Sequence, residues 1–435
     1  PPLFFASTQK QAPKKRGWNI EEQFMTSPPS PKRRRLDAGE NGQSQVDSSG
    51  TVGFVSSFQH LRQVSLLPIH HKRERMVHHL IMSCIPTEFF SFITPTLPDL
   101  YSLTTFHSQE YVDKLSEIDS SQFMEKWKKD PLSVHHLLEP FGLCDDCQPF
   151  LGICEYSRAV VGGTLAAVDA LKNHQVTMHW AGGRHHSHPE KASGFCYVND
   201  IVLGIHELMD DFERILYIDM DIHAPDAVID EFYGLQGVTV LSFHHLSSGF
   251  FPGMGRIEES GFGSGEGHTI NVPLEEGLED DQMIEIYSDI TSKVVRAYKP
   301  EVIVLQCGAD GLSGDRLGCW NLTSSSYVQN VKKTLSFGLP TLLLGGGGYN
   351  DVNVARCWTK ITHSVCSFLG TKGEKGLEKG VEEKETEEKG KEEDGETGEN
   401  GENQENGENQ ENRVKKEKKE KEEKGEKEEK EEKEE

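Results

Sequence analysis

No stretch of this sequence runs to about 18 consecutive apolar residues, and no secretory signal opens it. A membrane span and an export signal are therefore not expected. The nine cysteines are an odd number without regular spacing, which argues against a disulfide framework. The single Cys-x-x-Cys, Cys144 to Cys147, is followed by Cys154 but by no second pair at finger spacing. Buried or loop thiols in a reducing compartment fit better than a zinc finger or a redox dithiol. No internal repeat is visible in the central part. Apolar residues are nearly missing after Thr371, where 16 Lys/Arg and 27 Asp/Glu crowd the end of a chain whose formal net charge is −25. Such a segment cannot bury enough surface to offset its ordering entropy.

What is present lies between these poor ends. Residues 1–50 are rich in Pro, Ser, Gln and charge, and are expected to be disordered, as is the Glu/Lys-rich tail 371–435. Roughly 51–370 remain, enough for one large α/β domain. Two basic runs, "PKKR" at 13–16 and "PKRRR" at 31–35, suit a nuclear import receptor. The expected location is the nucleus, with the cytoplasm as a second compartment. Pro1 stands where an initiator Met would be, so the chain reads as a fragment or a trimmed gene product. No sequence-specific nucleic-acid binding and no membrane partner are expected.

Five short apolar runs, mostly β-branched, read as strands covered on both faces: 176–180, 215–220, 238–243, 302–306 and 341–345. Helical patterns lie between or beside them at 156–173, 199–212, 280–298 and 325–337. The alternation predicts a single domain with a mostly parallel sheet and helices on both faces. Sites in such sheets form outside the carboxyl ends of the strands.

The strand ends carry chemistry. In an extended chain Asp219, Asp221 and His223 share a face, and Asp310 follows a neighbouring strand. One imidazole and two carboxylates suit Zn²⁺ or another divalent first-row ion such as Fe²⁺. An ordinary polar strand end would show the same Asp-x-Asp-x-His by itself; the added Asp310 and His185-His186 shift the balance. Tandem His alone is weak, since the chain has five such pairs. His185-His186 stands out because it follows an apolar strand and "GG". One imidazole could take a proton from water and the other deliver one to a leaving amine, with Asp219 and Asp226 as candidates to fix their tautomers. "LLLGGGGYN" (342–350) lacks both the Lys-Ser/Thr of a P-loop and the GxGxxG spacing. Four glycines let the backbone approach a substrate closely and aim Tyr349 inward, where its hydroxyl can donate to a developing oxyanion.

With these residues in view, the sequence resembles the zinc-dependent class I histone deacetylases. The matching stretches are "WAGGRHHSHPEKASGFCYVNDIVLGI" (180–205), "RILYIDMDIHAPDAV" (214–228), "LSFHHLSSGFFPGMG" (241–255), "VIVLQCGADGLSGDRLGCWNLT" (302–323) and "LLLGGGGYNDVNVARCW" (342–358). The resemblance covers about 51–369; "SSGFFPG" and "GAD" lean toward the histone deacetylase 8 and fungal Hos-type branch. It implies an arginase/deacetylase-like fold and a catalytic domain over 51–370. It also implies hydrolysis of N-acetyl-lysine on histone tails or other nuclear acetyl-proteins, and a chromatin corepressor complex as partner. Asp221, His223 and Asp310 would hold zinc. His185 and His186 would be the acid–base pair, held by Asp219 and Asp226, and Tyr349 would polarise the acetyl carbonyl. Phe195 and Phe251 would wall the acetyl-lysine tunnel beside Gly194 and Leu317, with Asp146 gripping the substrate backbone at the rim. A structural K⁺ would use Asp219, Asp221 and Ser242 with main-chain carbonyls of His223 and Phe243. Arg73 would lie near the floor of an internal cavity.

The departures are specific. Where the family usually has His-His-Gly-Asp-Gly, this chain has His223-Ala224-Pro225-Asp226-Ala227. If that loop requires a positive φ at 225, Pro225 cannot adopt it, and an error of about 1 Å at a ligand can cost about 100-fold in rate. Arg184 replaces an apolar residue near the internal cavity and could crowd it or hold acetate. Lys191 and Met254 also differ from the family pattern. His70 stands near the place of a Lys used for inositol phosphate, although Arg316 and Arg356 match. Two alternatives follow: a catalytically impaired chromatin scaffold, and an acetylpolyamine-type amidohydrolase.

Overall fold

A computed structural model describes residues 51–370; the expected disordered extensions at 1–50 and 371–435 lie outside the described residues. Each apolar strand run finds cover on both faces. Leu216, Ile218 and Met220 belong to one apolar cluster, while the alternate residues Ile215 and Tyr217 belong to another. Ile303 and Leu305 divide from Val302 and Val304 in the same way. This is the two-residue period of a strand buried twice, and it explains the absence of polar alternation.

The strands are β1 (Val52–Val55), β2 (Phe90–Ile93), β3 (Val176–His179), β4 (Ile215–Asp219), β5 (Val238–His245), β6 (Thr269–Leu274), β7 (Val302–Gln306) and β8 (Thr341–Leu344). They form one 8-stranded sheet in the order β2-β1-β3-β8-β7-β4-β5-β6. Every pairing is parallel. One face packs against the helices Arg73–Cys84, Asp280–Tyr298 and Ser324–Leu335 and the helical residues 351–370. The other packs against Ile153–Ala170, Asp200–Asp211 and Asp226–Phe232. A third apolar cluster joins the helices Gln109–Ile118, Ser121–Lys129 and Pro131–Leu138 to the outer side of Ile153–Ala170. This is the expected arginase/deacetylase-like α/β architecture.

Three strands escape a reading based on apolar runs. β2 and β6 are the sheet edges, with mixed burial, and β6 carries Pro273; Pro is tolerated at an edge because no ladder donor is needed there. β1 is four residues long and holds Gly53. Among the described residues, no helix is long and apolar enough to cross a membrane.

Candidate active site and metal centre

The carboxyl ends of β3, β8, β7, β4 and β5 lie side by side at the centre of the sheet, and the expected catalytic and metal-binding residues stand at or just after the ends of β3, β8, β7 and β4. One expectation needs correction. Asp219, Asp221 and His223 do not alternate along a strand: β4 ends at Asp219, and 220–225 are irregular. The carboxylates themselves replace the ladder. Asp219 Oδ1 accepts the Asp221 N–H at 2.9 Å, Asp221 Oδ1 accepts the His223 N–H at 3.1 Å, and Asp310 Oδ1 accepts the Ile222 N–H at 3.0 Å. Aspartates bond readily to the backbone two residues on, so each acid sets the position of the next.

The result brings Asp221, His223 and Asp310 together. One donor atom from each lies within 4.8 Å of the others, and all three residues are buried. His223 Nδ1 is 3.1 Å from Asp221 Oδ1 and 3.0 Å from Asp310 Oδ2. Burial and the neighbouring Asp221 push Asp310 above the usual carboxylate range. Burial would lower His223, but hydrogen bonds with both carboxylates outweigh it and raise it to about 10. Two buried carboxylates at such distance repel, and a cation is what relieves them. The donor set, one nitrogen and two oxygens, fits Zn²⁺ or Fe²⁺.

The His pair stands beside this cluster. His185 Nδ1 is 2.8 Å from Asp219 Oδ2, and His186 Nδ1 is 2.7 Å from Asp226 Oδ1. The two rings are 3.9 Å apart between centroids. Burial would lower His185, but Asp219 and Asp221 outweigh it and raise it to about 9. Burial and the neighbouring His185 lower His186 to about 4 despite Asp226. Adjacent imidazoles thus differ in proton affinity, the arrangement expected of an acid–base pair.

A cavity of about 320 Å³ opens over these groups. It is lined by all five expected substrate residues, Asp146, Gly194, Phe195, Phe251 and Leu317, and by His186, His223 and Tyr349. Tyr349 is held by its backbone: its N–H donates to Asp315 Oδ2 at 2.7 Å and its carbonyl accepts from Arg316 Nε at 2.8 Å. Of the expected potassium set, Asp219 faces Ser242 across the β4–β5 ladder, with Phe243 next along β5. The Ser242 hydroxyl bonds to His244 Nδ1 at 2.7 Å.

The feared loop is relaxed. Pro225 has φ −78° and ψ 69°, and the Asp226 N–H donates to the Ala224 carbonyl at 2.9 Å. That is an inverse γ-turn, whose central residue wants the φ that proline supplies. Pro225 then opens the helix Asp226–Phe232. Arg184 does not line this mouth cavity, which is distinct from the internal cavity that the resemblance implies. It lies buried behind the His pair, 3.6 Å from Glu74, which also pairs with Arg73 at 2.8 Å. His70 is buried with its ring 5.6 Å from that of Tyr349, and Arg356 is exposed on the last helix.

Other groups were not foreseen. Phe250 lines the cavity and stacks on His223 with ring centroids 5.1 Å apart and planes 8° apart; it sits in the quoted "GFFPG", where the double Phe was the signal. Gln306 donates to Asp221 Oδ2 at 3.2 Å and accepts the Gly308 N–H at 2.7 Å; a Gln closing an apolar strand was its signal. His188 reaches Asp226 Oδ2 at 3.4 Å. Asp200 accepts the N–H groups of Gly183 and Arg184 at 3.0 and 2.8 Å, fixing the turn before His185. Tyr217 donates to Asp219 from inside the sheet, a contact with no sequence signal.

With this geometry in place, comparison with known proteins identifies the family. The histone deacetylase domain family matches residues 67–365. Histone deacetylase 6 of Arabidopsis thaliana is 41% identical over 293 residues, which is 67% of this chain and 61% of that protein. Human histone deacetylase 1 is 40% identical over 294 residues, 67% of this chain and 59% of that protein. The chain thus spans about three fifths of the length of these two relatives. Histone deacetylase clr6 of Schizosaccharomyces pombe is 38% identical over 294 residues, covering 70% of its length. The chain belongs to the class I histone deacetylase family.

Proposed function

We propose that this chain is a metal-dependent protein lysine deacetylase that hydrolyses N-acetyl-lysine on histone tails or other nuclear proteins and releases acetate. The observation that carries this reading is one cavity that joins the buried Asp221–His223–Asp310 cluster to an aromatic mouth. Its walls include His223, His186, Tyr349, Phe195 and Phe251. A neutral acetylated side chain suits an apolar passage that disfavours a free ammonium. The finer placement in the histone deacetylase 8 and Hos-type branch rests on two motifs alone.

Asp221, His223 and Asp310 would hold Zn²⁺ or Fe²⁺. The bound ion supplies Lewis acidity at the amide carbonyl and makes water a nucleophile at neutral pH. The protein supplies the rest. His185 and His186, oriented by Asp219 and Asp226, take a proton from the attacking water and return one to the amine nitrogen as the C–N bond breaks. The Tyr349 hydroxyl donates to the oxygen that gains negative charge. Phe195 and Phe251 keep the stem of the lysine extended, with Gly194 and Leu317 beside them, and Asp146 accepts hydrogen bonds from the substrate backbone at the rim. Oxygen atoms of Asp219, Asp221 and Ser242 with the carbonyls of His223 and Phe243 form a hard-donor set for a structural K⁺. The proposed setting is nuclear, in a chromatin corepressor complex.

The impaired-scaffold reading rested on the 224–227 loop and Arg184; Pro225 sits at an unstrained φ, and Arg184 stands 3.6 Å from Glu74. The test is metal content paired with turnover of an acetyl-lysine peptide, with acetylspermidine as competitor. Full metal occupancy with peptide turnover is expected. Occupancy without turnover would return the scaffold, and preference for acetylspermidine would make the chain a polyamine amidohydrolase.

A further inference from the structure

A second group of metal-donor atoms meets away from the cavity cluster. His135 lies on the helix Pro131–Leu138, and Cys144 and Asp145 follow in the turn beyond it. A ring nitrogen, a thiol sulfur and a carboxylate oxygen from these three all lie within 4.8 Å of one another. Cys144 Sγ is 3.6 Å from Asp145 Oδ2. Zinc bonds of about 2.3 Å to sulfur and about 2.0–2.2 Å to oxygen, at a tetrahedral angle, place two such donors roughly 3.5 Å apart. This pair therefore already stands at the edge length of a zinc tetrahedron.

The third donor is uncommitted. The half-buried His135 ring makes no hydrogen bond or ion pair among the described residues. Burial grades outward from Cys144, which is buried, through His135 to the exposed Asp145. The sulfur thus sits on the protein side, and a fourth position opens toward solvent. One nitrogen, one sulfur and one oxygen exclude Mg²⁺ and Ca²⁺, which take oxygen, and favour Zn²⁺.

The position matters as well. Asp145 precedes Asp146, which lines the mouth of the cavity. On the other side Cys147 is buried, with its thiol toward the Cys196 carbonyl at 4.0 Å. A cation bound here would fasten the rim turn to the helix Pro131–Leu138.

We propose that His135, Cys144 and Asp145 form a second, sulfur-containing site for Zn²⁺ that pins the turn carrying Asp146. On binding, the Cys144 thiol gives its proton to solvent and the thiolate joins the ion.

The proposal can be tested on the purified full chain with Co²⁺ alone as the probe. The cavity cluster contains no sulfur, so sulfur-to-cobalt charge-transfer absorption reports only a thiolate site. The wild type is expected to develop this absorption, and added Zn²⁺ to erase it. Cys144→Ser, with far-UV circular dichroism unchanged, is expected to abolish it. His135→Ala and Asp145→Asn should each weaken Co²⁺ binding at this site by at least about tenfold, as loss of one of three ligands exceeds the 10–100-fold typical of outer partners. Three results overturn the site: no charge-transfer absorption in the wild type, absorption that survives in Cys144→Ser, or His135→Ala and Asp145→Asn binding as tightly as the wild type.

Discussion

The turn from Gly345 to Tyr349 has an acidic side and a basic side. The Gly347 N–H donates to Asp221 Oδ2 at 2.8 Å, while the carbonyls of Gly346 and Gly348 each accept from Arg73 at 3.0 Å. A Cβ on Gly347 would meet Asp310 Oδ2 at 2.3 Å, and one on Gly346, at φ +143°, would meet Gln306 Nε2 at 2.3 Å. The run of glycines was expected to let backbone approach a substrate. The run also lies close to the protein itself: Gly346 and Gly347 to the Gln and the carboxylates that build the site, and Gly345 to the Trp180 carbonyl. In front of the turn stand Asp219, Asp221, Asp226 and Asp310 with their imidazoles; behind it Arg73 and Arg184 share the single carboxylate of Glu74. The difference teaches that each side has its own charge requirement: the front calls for a cation, whereas the back sets two guanidiniums against one carboxylate and leaves Arg184 Nε without a partner.

The largest effect should come from breaking the front. Asp221→Asn removes one of the two buried carboxylates of the cluster and replaces one of the oxygens by an amide NH₂, which cannot accept the hydrogen bonds that oxygen now takes. Loss of bound metal by elemental analysis and loss of measurable peptide turnover are expected. Full metal occupancy in that variant would remove Asp221 from the metal centre. Next comes Tyr349→Phe, which deletes a hydroxyl and keeps the ring. Turnover should fall by about 10²–10³-fold, the usual cost of one oxyanion donor, with metal content unchanged. Unchanged turnover would refute the role.

The back should respond in stability. Glu74→Gln leaves Arg73 and Arg184 buried without a counter-charge and is expected to cost about 3–5 kcal/mol, read as a lower urea midpoint. Arg184→Met leaves the balanced Arg73–Glu74 pair and relieves the unpartnered Arg184 Nε. Its cost should stay within about 1 kcal/mol of zero. Equal costs for the two variants would mean that the basic side acts as one network rather than as a pair with an extra charge.

Legibility followed the same division. The central strands were readable because burial on both faces demands unbroken apolar runs, and the front residues because acids and imidazoles after such runs have few other uses. The edge strands were not, since half-buried strands tolerate Pro273 and polar positions. The stretch from Asp219 to His223 was misread as extended because spacing alone cannot tell a ladder from carboxylates that cap successive N–H groups. The back was the least legible. Arg184 was noted, but Glu74 lies 110 positions away in sequence and nothing local announces the pair. Contacts such as Tyr217 to Asp219 hide inside a strand for the same reason.

The smallest effects test the loop that differs most from the family pattern. Ala224 is fully buried, and a Cβ on Gly255 would come within 3.0 Å of its own Cβ. Restoring His at 224 therefore overpacks a filled position, at about 1–3 kcal/mol. Restoring His-Gly-Asp-Gly at 224–227 should lower stability and bring no gain in turnover. Pro225→Gly alone should do less. The native φ of −78° is open to glycine, so the change acts mainly by giving the unfolded chain more freedom, at about 0.4–1 kcal/mol. Metal content should be unchanged and turnover within about twofold, because Asp221 and Asp310 fix the backbone of 222 and 223 independently of residue 225. A tenfold rise in turnover on Pro225→Gly would show that proline holds His223 or Asp226 away from its working position, and the front would then be strained where its geometry is relaxed.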